Sequence, residues 1–282
     1  MNHSDRVGFM QGRLSPLIDG RIQAFPWVYW QDEFALAGKY GMRLMEWTLD
    51  QDRLYENPLL TVEGQSTINA LCELHGILLP SLTGDCFMQA PFWKAQREEE
   101  RVALQRDFRA IARACANVGI SIMVLPLVDN GRLENRAQED ALVFFLESEA
   151  ASLVKLGVQV AFESDFNPED LHRFIQRLDA SMFGINYDIG NSAALGFSPA
   201  KEFAAYGSRI FNVHVKDRVL GGTTVPLGMG NADFEAVFFE LGRLGYSGNY
   251  ILQTARATDD DHAGALRSYR DNVIGWMSSH GA

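Results

Sequence analysis

Eight short runs of apolar and β-branched residues recur along this chain, each followed by a longer segment of helical periodicity. That alternation restricts the fold more than any other feature. The runs cover residues 6–11, 44–49, 78–85, 121–128, 158–164, 183–191, 210–217 and 249–255, and helices are expected at 34–40, 63–75, 95–118, 138–156, 168–178, 199–206, 232–244 and 263–279. Short apolar runs bounded by turn residues are strands, and strands that alternate with helices make a parallel sheet. Eight such units close naturally into an α/β fold of the (β/α)8 TIM barrel type, here a single domain over residues 1–282. An open doubly wound sheet is the alternative, but no Gly-x-Gly-x-x-Gly follows the first run.

The helix ends carry matching punctuation. Asn167-Pro168 and Ser198-Pro199 place a capping residue before a proline in the first turn, and Gly41, Gly76, Gly119, Gly157 and Gly245 stand where left-handed C-caps belong. In the 95–118 segment Glu98, Glu99 and Glu100 precede Arg109 and Arg113, an order that suits the helix dipole. No Pro/Gly/Ser-rich linker interrupts the pattern, and the longest connection, 14–30, follows the first strand. In a parallel barrel such βα connections lie at the mouth, so their length suits a lid.

Charge narrows the partners. With 36 acidic against 25 basic residues the net charge is −11, which opposes a nucleic-acid grip built on counterion release. Cys72, Cys86 and Cys115 are odd in number and lack C-x-x-C spacing, so neither a disulfide framework nor a structural zinc site is expected. No secretory leader is visible in residues 1–6 and no run reaches the roughly 18 apolar residues of a membrane span. A soluble cytoplasmic protein with no membrane partner is the expectation.

Chemistry gathers where the strands end. The segment 210–218, Ile-Phe-Asn-Val-His-Val-Lys-Asp-Arg, starts as a buried strand and stops in His214, Lys216, Asp217 and Arg218, groups that are costly to bury without partners. The other runs end in Gln11 and Arg13, Glu46, Asp85, Glu163, Asp188 and Asn191, and Gln253 with Arg256. In a closed parallel barrel those ends converge on one mouth. Taken singly, each has a structural alternative: a salt-bridged Glu163, a hydrogen-bonded core His214, an Asp188 that opens a turn. Carboxylates, an imidazole and a carboxamide on strands five to eight at equivalent depth are together a donor set for Mn²⁺, Mg²⁺ or Co²⁺, and less so for Zn²⁺. Arg13, Arg218 and Arg256 sit just beyond strand ends, where a guanidinium fork can hold a phosphate or carboxylate, although nearby acids offer them ion pairs instead.

The phrases Ala-Phe-Glu163, Asn-Tyr-Asp188-Ile-Gly-Asn191 and Asn-Val-His214-Val-Lys-Asp217, with the opening Gly8-Phe9-Met10-Gln11-Gly12-Arg13-Leu14, resemble the sugar phosphate isomerase/epimerase family with the xylose-isomerase-like barrel. The similarity is greatest to its hexulose-phosphate isomerase and L-ribulose-5-phosphate 3-epimerase branch. The resemblance implies metal ligation by Glu163, Asp188 and His214, and an isomerase or epimerase that removes a proton alpha to a carbonyl through an enediolate. The family's strand-eight glutamate is here Gln253, which can offer a carbonyl oxygen but neither negative charge nor a proton-accepting carboxylate. Glu46, Lys216 and Asp217 are the candidates to replace it as acid or base. The roles expected are therefore Glu163, Lys216 and Glu46 in catalysis, with Gln253 completing the metal set. Arg13, Arg218, Arg256, Gln11, Asn191 and Asp217 are expected to hold a small sugar or sugar phosphate.

Two other outcomes stay open on the same site: a sugar dehydratase, and a carbohydrate-binding homologue impaired by Gln253. Apurinic-site nucleases share the barrel, but they need several metals and many histidines, and only His75, His172 and His214 lie in its body here. Members of the family are often dimers or tetramers, which leaves homo-oligomerisation open.

Overall fold

The computed structural model describes residues 3–18 and 20–282. Eight parallel strands close on themselves, each hydrogen-bonded to the next in sequence and the eighth to the first. In chain order they are Val7–Met10, Leu44–Thr48, Ser81–Thr83, Ile122–Leu127, Gln159–Ser164, Phe183–Asp188, Ile210–Val215 and Asn249–Leu252. All are buried almost throughout, because helices cover the outer face and side chains fill the inner one. Strand four shows both faces: Met123 and Leu125 join the large core against the helices, while Ile122 and Val124 form a separate cluster with Ala161.

The helices run Asp32–Lys39 (α1), Val62–His75 (α2), Asp85–Gln89 (α3), Glu98–Asn117 (α4), Arg136–Leu156 (α5), Pro168–Ile175 (α6), Ile189–Leu195 (α7), Pro199–Tyr206 (α8), Phe234–Arg243 (α9) and His262–His280 (α10). Their ends follow the expected chemistry. The side chains of Thr61 and Asn135 accept hydrogen bonds from Gly64 and Gln138 backbone amides, and Gly76 and Gly157 terminate α2 and α5 in the left-handed region.

The structure stops the expected strands short in three informative places. The third strand is only Ser81–Thr83, with Leu78 reduced to an isolated bridge to Leu44. The 183–191 run stops at Asp188, whose side chain caps the short helix Ile189–Leu195 (α7) by accepting from the Asn191 amide at 2.8 Å. The third βα connection likewise opens into a short helix, Asp85–Gln89 (α3), so Asp85 starts a helix and does not end a strand. Apolar periodicity cannot separate a strand end from one buried helical turn, so the sequence pattern runs on through both.

Between strands six and seven the register slips after Ile185, so that Asn186 pairs with Asn212 and Asp188 with His214. A bulge of this kind re-aims side chains, and here it brings an acid and an imidazole level with one another at the mouth. Beyond strand seven, residues 217–218 and 224–225 form a small antiparallel ribbon over the barrel. No helix among the described residues is long and apolar enough to cross a membrane.

Candidate active site

At the C-terminal mouth a cavity of about 480 Å³ is lined by Gln23, Asp85, Glu163, Asn191, Lys216, Arg218 and Gln253, among others. Glu163 lines it, and behind Glu163 buried atoms of Glu163, Asp188 and His214 approach within 4.8 Å of one another. Each comes from a different strand, so the barrel's closure and the slip after Ile185 position all three.

His214 is fully buried and anchored from below. Its Nε2 lies 2.7 Å from Glu46 Oε1, and its Nδ1 faces Glu163 Oε2 at 3.2 Å and Asn186 Nδ2 at 3.0 Å. Glu46 is itself saturated, accepting from Ser81 Oγ at 2.6 Å, Thr83 Oγ1 at 2.5 Å and Asn212 Nδ2 at 3.0 Å. Burial alone would lower the imidazole pKa. The neighbouring Glu46 charge, with the hydrogen bond to Glu163, overrides burial and raises it to about 10. Burial likewise opposes the ionisation of Glu163, but His214 and then Lys216 hold its carboxyl below the usual range.

Lys216 supplies a second focus. Its ammonium donates to Asp188 Oδ2 at 3.0 Å, Asn191 Oδ1 at 3.1 Å and Gln253 Oε1 at 3.2 Å, so three oxygens already converge on one positive charge. Asn191 ties the wall together: its Nδ2 donates to Glu163 Oε1 at 2.6 Å, and its Oδ1 also accepts from Arg218 Nη1 at 2.8 Å.

These residues fit a divalent cation. Two carboxylates and an imidazole at this spacing match the edges of a coordination shell of oxygen and nitrogen donors. A ligating histidine usually has its second ring N–H held by a carboxylate, a backbone carbonyl or water, and Glu46 stands in that place at Nε2. Gln253 gives its oxygen to Lys216 in this geometry.

Other residues expected at the site are placed differently. Asp217 turns its carboxylate into the 219–232 loop, where the amides of Gly228, Gly230 and Ala232 donate to it at 2.8, 2.9 and 3.1 Å. Arg13 and Arg256 both donate to the Ile22 carbonyl and brace the loop after strand one, apart from the cavity lining. Burial, then the charge of Arg256, pushes the Arg13 pKa down to about 9. Gln11 is buried, accepts from the Thr48 amide at 3.2 Å and, among the described residues, finds no partner for its Nε2. Arg218 alone of the three arginines lines the cavity, and Glu46 lies beneath His214.

Some contributors lie outside the expected set. Asn186 and Asn212 stand two residues before Asp188 and His214, which on a strand puts them on the same face one layer down, a signal the period of two could have supplied. Glu33, on the first helix (Asp32–Lys39), holds the amides of Gly12 and Leu14 and the Ser15 hydroxyl, a contact across 18–21 residues that no local pattern announces. Gln23 joins Gln253 to Asp85 from the middle of the long loop.

Comparison with known proteins places this geometry in a lineage. The family model of the xylose isomerase-like TIM barrel matches residues 34–273. An L-ribulose-5-phosphate 3-epimerase, UlaE, from Escherichia coli (strain SMS-3-5 / SECEC) is 27% identical over 262 residues, covering 89% of this chain and 91% of the relative. Among solved structures, the IOLI protein with a bound zinc atom aligns with a TM-score of 0.75 at 17% identity over 98% of this chain and 99% of its own. A xylose isomerase-like barrel protein from Mycobacterium smegmatis in complex with magnesium aligns at 0.71 and 15% identity over 100% of both chains. The chain belongs to the xylose isomerase-like TIM barrel family.

Proposed function

We propose that this chain is a divalent-metal-dependent isomerase or epimerase of a small sugar or sugar phosphate. The observation that carries the reading is the convergence of Glu163, Asp188 and His214 within 4.8 Å, Glu163 lining the cavity and Glu46 standing behind the imidazole. The similarity to a named ketose-phosphate 3-epimerase along most of both chains points the same way.

In this reading Glu163, Asp188 and His214 hold the ion, with Mn²⁺, Mg²⁺ or Co²⁺ favoured by the predominance of oxygen donors. A cation there supplies a Lewis acid for a carbonyl and its neighbouring hydroxyl. Glu163 is the base that takes the proton alpha to the carbonyl, and the electron pair moves into an enediolate. Lys216 and Arg218, on the cavity wall, donate to substrate oxygens, and Asn191 orients Glu163 through Oε1. Glu46 acts through His214, fixing its ring, with all its lone pairs engaged. Arg13 and Arg256 serve by bracing the loop after strand one, Gln11 by tying strand one to Thr48 of strand two, and Asp217 by shaping the loop that carries Gly221 to the cavity.

The test is solvent exchange. Metal-stripped protein is reconstituted with each cation and incubated in D₂O with ketoses and ketose phosphates. Deuterium should enter the carbon alpha to the carbonyl only with metal, and Glu163→Gln should stop it. Exchange that survives Glu163→Gln removes Glu163 as the base. A second reading rests on Gln253: loss of a carboxylate at strand eight suits elimination of water or plain sugar binding, either of which the same incubation reveals as dehydrated product or as binding without exchange.

A further inference from the structure

Strand eight gives the site an amide that cannot carry a proton, yet that amide is not isolated. Lys216 donates to Gln253 Oε1 at 3.2 Å, Gln253 Nε2 donates to Gln23 Oε1 at 2.8 Å, and Gln23 Nε2 donates to Asp85 Oδ2 at 2.6 Å. An ammonium can only donate, so Lys216 alone sets the direction of both amides, and Asp85 Oδ2 receives the last bond whether the carboxyl is ionised or carries its proton on Oδ1. The chain of contacts runs from the position of the missing carboxylate to one that is present.

Asp85 is 7% exposed and lines the same cavity as Glu163 and Lys216. Glu163 accepts from Asn186 and Asn191 and faces His214, whereas Asp85, among the described residues, accepts at Oδ2 from Gln23. A buried carboxyl with a single neutral donor and an oxygen to spare is built to hold a proton and give it up. The charges acting on it include Asp50 from the loop after strand two, Glu163 from strand five, His214 from strand seven and the Arg13 guanidinium from the loop after strand one. Burial foremost, with Asp50 and Glu163 reinforcing it against Gln23 and His214, pushes its pKa up to about 7.

We propose that Asp85 is the second proton-transferring group of this site, standing in for the carboxylate that strand eight lacks. This rests on the reading of the chain as an isomerase or epimerase. Glu163 removes the alpha proton and becomes neutral, while the C–H electron pair enters the enediolate. Asp85 then delivers its proton to the enediolate, which collapses to product, and Asp85 is left as the carboxylate. Exchange with water returns the proton from Glu163 and reprotonates Asp85.

Two measurements test this on the full-length protein. In the first, [γ-¹³C]Asp-labelled protein is titrated by NMR. One carboxyl resonance should titrate near neutrality and vanish in Asp85→Asn, which keeps an oxygen for Gln23; an Asp85 resonance titrating near 4 overturns the proposal. In the second, Mn²⁺-loaded wild type, Asp85→Asn, Asp85→Glu and Glu163→Gln turn over a panel of ketopentoses and ketohexoses, free and phosphorylated, in D₂O. Asp85→Asn should lose at least about a hundredfold in product formation while recovered substrate still takes up deuterium, Asp85→Glu should regain part of the loss, and Glu163→Gln should lose both. Product formation by Asp85→Asn within about threefold of wild type, or parallel loss of exchange and product, overturns it. A wild type inert toward every sugar, with Asp85 titrating near neutrality, overturns the isomerase reading and leaves Asp85 as a proton donor to some other reaction of the cavity.

Discussion

His214 is held between two glutamates, with Glu46 Oε1 2.7 Å from Nε2 and Glu163 Oε2 3.2 Å from Nδ1. The two contacts differ in kind. Glu46 is fully buried and saturated by Ser81, Thr83 and Asn212, whereas Glu163 lines the cavity. Glu46 is therefore the orienting partner and Glu163 the one free to meet an ion or a substrate. Replacing Glu46 by Gln keeps the shape but weakens the grip on the ring and should lower divalent-cation affinity about 10- to 100-fold. Calorimetric titration of Mn²⁺ into metal-stripped protein reads this directly, and unchanged affinity would show that Glu46 does not act through His214.

Gln253 offers the complementary experiment. Gln253→Glu adds a negative charge beside Lys216 and should raise divalent-cation affinity by about tenfold or more through the extra anionic donor. The same change removes the donor to Gln23 Oε1 and sets a carboxylate oxygen against it, so the Gln23 amide must turn over, which draws its NH₂ away from Asp85. Pairing it with Asp85→Asn should give effects on cation binding that do not add, because the two positions share Gln23. Strict additivity in the four-way titration would cut the link between them.

Asp217 makes a structural prediction. Three backbone amides of the 228–232 stretch point at its two oxygens, and the residue is fully buried. Asp217→Ala strands those donors and should destabilise the protein by about 2–4 kcal/mol, less than three fully buried donors at about 1–3 kcal/mol each would cost, because Gly228 is exposed and Gly230 and Ala232 are half-buried. Urea unfolding monitored by circular dichroism gives the value. A loss below about 0.5 kcal/mol would mean that water replaces the carboxylate and that the loop is not held by it.

Much of this arrangement is legible in the sequence, and the parts that are not share a physical cause. Strand-ending motifs mark Glu163, Asp188 and His214 because polar groups at the end of an apolar run need partners, and the barrel's closure brings the three within 4.8 Å. Charge and proximity to a strand end cannot distinguish Asp217 from Lys216, one residue away. On successive strand or ribbon residues the side chains alternate, so one turns to the loop while the other turns to the cavity. Arg13 and Arg256 have the makings of anion forks, but both direct their donors to backbone carbonyls of the 12–22 loop, an interaction invisible without the loop's path. Asp85 is visible at the end of an apolar run, yet its significance depends on Gln23, which lies 62 residues away along the chain.

Asp85 should also reveal itself through stability. Its folded pKa is raised to about 7 from an ordinary value of 3.8, chiefly by burial. Between those values the folded chain keeps the proton while the unfolded chain has lost it, so unfolding releases a proton and stability falls as pH rises. The Asp85 contribution is therefore neutral below about pH 4, grows unfavourable up to about pH 7 and then levels off, reaching on the order of a few kcal/mol. Asp85→Asn escapes that penalty while keeping the contact with Gln23. It should be more stable than wild type at pH 8, with the gap closing by about pH 4.5, as urea midpoints at the two pH values will show. A carboxyl whose ionisation costs stability yet which remains at the cavity wall is the pattern expected of a group held for chemistry. If Asp85→Asn is instead the less stable protein at pH 8, the residue serves as the charged first turn of α3, and the proton-donor role loses its support.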